Sequence, residues 1–132
     1  MIVLDTSAAV ALLDKTHPDH AAAVEFVARN TSCAIHAAAA AEVLVAASER
    51  GMSERVWDVL RSVGLRVADG HPDEPARIAQ WRRDGDLSLV DACTVAIADL
   101  HEMFVFTCSE PVAAAARQAG LLDDRAPAGA RI

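Results

Sequence analysis

At 132 residues the chain can bury one ordinary hydrophobic core, so residues 1–132 read as a single domain. Its formal charge of −7 excludes nucleic-acid binding through bulk positive charge, though not through a local basic patch. Hydrophobic residues make up 53% but aromatics only 4%, so alanine and other small side chains on closely packed helices must supply most of the core.

In chain order, MIVLD is a short β-rich run, and TSAAVALLD after it has helix-forming composition with Thr6 and Ser7 available near its start. HPDHAAAVEFVARN places Ala21, Val24, Val27 and Ala28 at the spacing of one helix face. SCAIH is a second strand, and HAAAAAEVLVAASERG is an alanine-rich helix stopped near Gly51. MSERVWDVLRSVG continues as a helix with Val56, Val59, Leu60 and Val63 on one face, and LRVAD is a third strand.

PDEPARIAQWRRDGD opens with prolines suited to a helix start, turns Ile78 and Trp81 inward and stops at Gly85. LSLVDACTVAIADLHE is the next helix, FVFT a fourth strand and PVAAAARQAG the last helix. LLDDRAPAGARI is a loose tail with room for one short edge strand. Short apolar strands alternating with helices predict an α/β fold, a three-layer α/β/α sandwich around a central parallel sheet. In such sheets ligands gather beyond the carboxyl ends of the strands, which is where Asp5 lies.

A carboxylate at the edge of a core is costly without a helix N-terminus, a cation or a metal beside it. Asp5 is followed by two hydroxyls and could simply cap the first helix. Glu42 is the lone acid of an otherwise apolar helix expected to be mostly buried, the alternative being a solvated face. Asp91 stands three residues after Ser88, the spacing of a helix cap followed by a first-turn acid. Capping and metal binding are compatible, since one oxygen can take an N–H while the other faces a cleft. Three acids on three βα units, each near the same end of the sheet, would repel one another without a cation. Hard oxygen donors with no thiolate or paired histidine suit Mg²⁺ or Mn²⁺.

VLDTSAAVALL, AEVLVAA and LSLVDACTVAIA, in that order, resemble the PIN-domain ribonucleases, and at this length the VapC-type toxins of bacterial toxin–antitoxin pairs. The resemblance implies a PIN-like fold and metal-dependent hydrolysis of RNA phosphodiesters by an endoribonuclease that inhibits translation or growth. It implies Mg²⁺ or Mn²⁺ on Asp5, Glu42 and Asp91 as catalytic and metal-binding acids, with Thr6 or Ser7 as the hydroxyl beside the first. The partners it implies are RNA and a VapB-like antitoxin that blocks the acidic cleft, with a toxin homodimer inside a toxin–antitoxin hetero-oligomer.

The family's Thr-x-Asp pattern after the last central strand reads here as Thr107 followed by Ser109, so the usual fourth acid is missing. One tight metal is therefore expected, with any second ion recruited by RNA. The same departure leaves open a catalytically weakened PIN domain acting as an RNA- or antitoxin-binding module. Lys15, Arg82 and Arg83 are candidates for RNA contact, or ordinary surface charges. Exposed apolar faces on the first two helices, around Leu12, Leu13 and Phe26, could serve dimer or antitoxin, or could be core.

Other chemistries find no support. His17 and His20 have no third ligand nearby in sequence, and Cys33, Cys93 and Cys108 lack the spacing of a zinc site or disulfide framework. Ser7 replaces the second aspartate a haloacid-dehalogenase-like phosphatase needs, and a receiver domain would need a late lysine, whereas Lys15 is the only one. No segment reads as a signal peptide or membrane span, and the odd cysteine count points to a reducing compartment. A cytoplasmic protein is expected.

Overall fold

The computed structural model describes residues 1–130. Its elements are β1 Ile2–Leu4, α1 Thr6–Leu13, α2 His20–Arg29, β2 Cys33–Ile35, α3 Ala37–Ser48 and α4 Ser53–Ser62. They continue with β3 Leu65–Val67, α5 Glu74–Asp84, α6 Leu89–His101, β4 Phe104–Phe106, α7 Glu110–Gln118 and the short α8 Pro127–Ala130. The strands form one parallel sheet in the order β3-β2-β1-β4. From β1 the chain steps outward to β2 and β3, then returns to place β4 on the other side. The direction of winding therefore reverses between β1 and β4, and a crevice opens there beyond the carboxyl ends of the strands.

Each three-residue strand sends alternate side chains to opposite faces. Ile2, Leu4, Ile35 and Phe106 pack with alanines of α1, α2 and α3 and with Leu60 of α4. Val3, Ala34 and Val105 pack on the other face with Val95 and Ile97 of α6 and Val112 of α7. The result is the expected three-layer sandwich. Nine alanines of α1, α3, α6 and α7 are completely inaccessible, Ala8, Ala9, Ala11, Ala39, Ala92, Ala96, Ala98, Ala113 and Ala116, so small side chains do let the helices approach the sheet closely. Among the described residues no helix is long and apolar enough to cross a membrane, and the three cysteines form no disulfide.

Several local expectations change. The core face of α2 is Ala23, Phe26 and Val27, while Ala21, Val24 and Ala28 face outward. One large ring decides the rotation: Phe26 stacks on Phe106 with centroids 3.9 Å apart, and no arrangement of alanines outweighs that burial. Phe26 is therefore core, and Leu12 and Leu13 are half-buried against it, so these three do not form an exposed apolar face. On α4 only Leu60 is fully buried, with Val59 and Val63 largely exposed.

The tail is not loose. Leu122 pairs with Val105, the Asp123 N–H donates to the Val105 carbonyl, and Ala126 and Ala128 are inaccessible. Residues 131 and 132, also assigned to the tail, lie outside the described residues. As expected, Ile78 and Trp81 turn inward from α5, which is fastened to α6 by Arg77 and Trp81, both donating to Asp99 at 2.5 and 3.1 Å.

The two faces of α2 give a direct test. Phe26→Ala should cost about 3–5 kcal/mol, and Val24→Ala no more than about 0.5 kcal/mol, in urea unfolding.

Candidate active site

The crevice between β1 and β4 is where the chain places its most deeply buried acid. Asp5 directly follows β1, is 1% exposed and caps α1. Its Oδ1 accepts from the Ala8 N–H at 2.9 Å and the Ser7 hydroxyl at 2.7 Å. Its Oδ2 accepts from the Thr107 hydroxyl at 2.6 Å, across the crevice. Thr107 in turn receives the Ser109 N–H at 2.9 Å, and the Ser7 oxygen receives the Cys108 N–H at 3.0 Å. The two strand ends are thus stitched by a network centred on one carboxylate, and every donor in it is a hydroxyl or a backbone amide.

Burial pushes the Asp5 carboxyl above the usual carboxylate range, bonds from Thr107, Ala8 and Ser7 pull it back in part, and the charge of Asp91 raises it further. Asp91 lies in the first turn of α6, half-buried, with its N–H on the Ser88 oxygen at 3.1 Å. Its pKa is also raised, first by desolvation, opposed by Ser88, and then by the charge of Glu42. Glu42 itself is exposed on α3, which corrects its expected burial: the face of the alanine helix that carries it, with Ala41 and Val45, is not covered. The three acids therefore form a chain of mutual repulsion, Asp5 to Asp91 to Glu42. None of them has a basic partner among the described residues.

Hard oxygen donors with raised pKa values and no internal cation fit a hard divalent ion. The fit is not a closed cage: among the described residues no three His, Cys, Asp or Glu side chains converge tightly enough to enclose one.

Of the two hydroxyls after Asp5, Ser7 makes the contact, while the Thr6 oxygen is buried without a protein partner. Ser109 caps α7 through its backbone position only, without a side-chain cap bond. Lys15 is exposed just past the end of α1 opposite Asp5. Arg82 donates to the Leu87 carbonyl at 2.6 Å, bracing the loop into α6, and Arg83 pairs with Asp84. His17 accepts the Asp19 N–H and His20 bonds the Ala11 carbonyl, as helix-start histidines do. The residue that sequence reading missed is His36, first after β2, whose ring contacts Glu74 38 positions away. Only its place after a strand could have drawn attention to it.

A carboxyl whose folded pKa is raised takes up a proton on folding, so its contribution falls as pH rises from the unfolded value of 3.8 through the raised value. Asp5→Asn keeps the cap and removes that dependence. In urea unfolding with chelator from pH 4 to 8, wild type should lose stability relative to Asp5→Asn as pH rises, and the variant should be at least as stable at neutral pH.

The comparisons agree with this geometry. The PIN domain model matches residues 2–117. A search of curated proteins found no match. Among solved structures, the chain is similar to Mycobacterium tuberculosis VapC20, described as a sarcin-ricin loop cleaving toxin, with a TM-score of 0.72 and 18% identity. That alignment covers 87% of this chain and 95% of the other. With the family model spanning most of its length and the sheet winding as that fold requires, the chain belongs to the PIN-domain family.

Proposed function

We propose that this PIN domain is a VapC-type endoribonuclease toxin that hydrolyses RNA phosphodiesters and is neutralised by a VapB-like antitoxin. The observation that carries the reading is the Asp5 carboxylate at the winding reversal, buried, held at both oxygens and coupled to Asp91 with no basic group to balance it. A purely capping aspartate has no need of so complete a harness, nor of a second acid beside it.

Mg²⁺ or Mn²⁺ would be held by Asp5 and Asp91, with Glu42 as a further ligand, and would supply Lewis acidity toward water and phosphate. The protein's own groups do the positioning. Ser7 and the Ala8 N–H occupy Oδ1, and Thr107 fixes the direction in which Oδ2 presents its remaining lone pair. Asp91, half-buried in the first turn of α6, places a second negative charge near Asp5. Glu42, the most exposed of the three, is free to orient an attacking water for in-line displacement or take its proton. The products are a 5′-phosphate and a 3′-hydroxyl.

RNA has to approach through an acidic surface, and Arg82 and Arg83 at the loop before α6 are the nearest of the expected basic contacts by sequence. Homodimerisation and antitoxin binding belong to the same reading, as does a cytoplasmic site of action. Ser109 in place of an acid favours a single resident ion. It is also the one feature that favours a second reading, a binding module with little catalysis.

Purified free of host nucleases, the protein should cleave RNA only with Mg²⁺ or Mn²⁺ and leave 5′-phosphate ends. Asp5→Asn and Asp91→Asn should each lower the rate by about 10²-fold or more, the scale on which enzymes depend on positioned charge. Full activity in either variant removes the assigned site, and RNA binding without cleavage by wild type selects the binding module. In a substrate-free crystal soaked in Mn²⁺, one ion is expected, and two well-occupied ions would contradict the single-ion reading.

A further inference from the structure

Helix N-caps are usually Ser, Thr, Asp or Asn, which accept an N–H from their own first turn. α3 is capped instead by His36. Its Nδ1 accepts the Ala38 N–H at 2.9 Å, and its Nε2 meets the carboxylate of Glu74, the first residue of α5. A nitrogen that accepts an N–H bears its lone pair there, so the ring proton sits on Nε2 and is donated to Glu74. Both side chains are only 15% exposed, which spares the bond much of the solvent competition that weakens surface pairs.

The bond joins α3, which carries Glu42, to α5, which is packed on the helix that carries Asp91. Glu42 lies on α3 six residues beyond His36, about 9 Å along the axis. Asp91 lies on α6, to which α5 is packed along its length and fastened through Asp99. α3 and α5 have little other contact, while α3 also packs directly on α6, so the bond acts on a helix pair already in contact. Repulsion between Glu42 and Asp91 favours spreading α3 away from α6, and the His36–Glu74 bond opposes that movement from the root of α3.

We infer that His36 and Glu74 form a strut setting the separation of Glu42 and Asp91, and that both are positioning residues for the ion the acids share. The inference rests on the metal-dependent reading above. It requires neither residue to touch RNA or metal.

His36→Asn separates the two functions of the ring. Asparagine is among the best N-caps, so α3 stays capped, but its side chain is too short to reach Glu74. Partners that orient metal ligands without touching the ion typically change metal affinity by about 10–100-fold when removed. In calorimetric titration with Mn²⁺, His36→Asn and Glu74→Ala should each weaken binding about tenfold. The double variant should be no weaker than either single, since both break one contact. Glu74→Gln, which keeps an acceptor for the Nε2 proton, should stay within about threefold of wild type.

At saturating Mn²⁺ the single variants should recover most of their kcat for RNA cleavage. Wild-type Mn²⁺ affinity in His36→Asn, or losses that multiply in the double variant, overturns the strut while leaving the nuclease reading intact. A wild-type protein that neither binds Mn²⁺ nor cleaves RNA overturns both.

Discussion

The organisation of this molecule turns on a single carboxylate placed where water cannot reach it. Asp5 is nearly inaccessible, and an uncompensated charge at such a position would cost several kcal/mol. The chain answers with an N–H from α1 and two hydroxyls, one of them a hundred residues away on the far side of the winding reversal. The bond from Thr107 therefore also fastens β4 to β1 at the end where the crevice opens. Stability and site geometry are here the same set of hydrogen bonds.

The rest of the fold can be understood as what holds that crevice at a fixed width. Fully buried alanines bring α1, α3 and α6 close to the sheet, which sets Asp5 at the cap of α1 and Asp91 in the first turn of α6 near one another, with Glu42 further along α3. Close approach has an electrostatic consequence. Desolvation and mutual repulsion push Asp5 and Asp91 upward together, and the region stays short of positive charge because its nearby basic groups are engaged elsewhere: Arg82 with a loop carbonyl, Arg83 with Asp84 and Arg77 with Asp99. A hard cation is the missing complement that such an arrangement favours.

Much of this was legible in the chain itself, because the signals were local. Apolar runs of three or four residues mark β1, β2 and β4, and Ser88 three residues before Asp91 marks the cap of α6, which the Asp91 N–H confirms. Local signals failed where one distant partner outweighed a pattern. Alanine is compatible with either side of a helix, so the face of α2 could not be read until Phe26 met Phe106. Glu42 looked buried because its neighbours are apolar, yet whether an apolar face is covered depends on what packs there, and nothing in the described chain covers this one.

The sequence by itself determined the α/β class, the order of the elements and the identity of the candidate acids, since hydrophobic period, capping residues and the position of a charge after a strand are properties of neighbouring residues. Only the tertiary structure decided between Thr6 and Ser7, joined Thr107 to Asp5, fixed the rotation of α2 and brought His36 to Glu74. Each of those outcomes depends on the direction of a side chain and on a partner brought close by the winding of the sheet, and a hydrogen bond reaching across 38 or 102 positions leaves no trace in the spacing of either residue's neighbours.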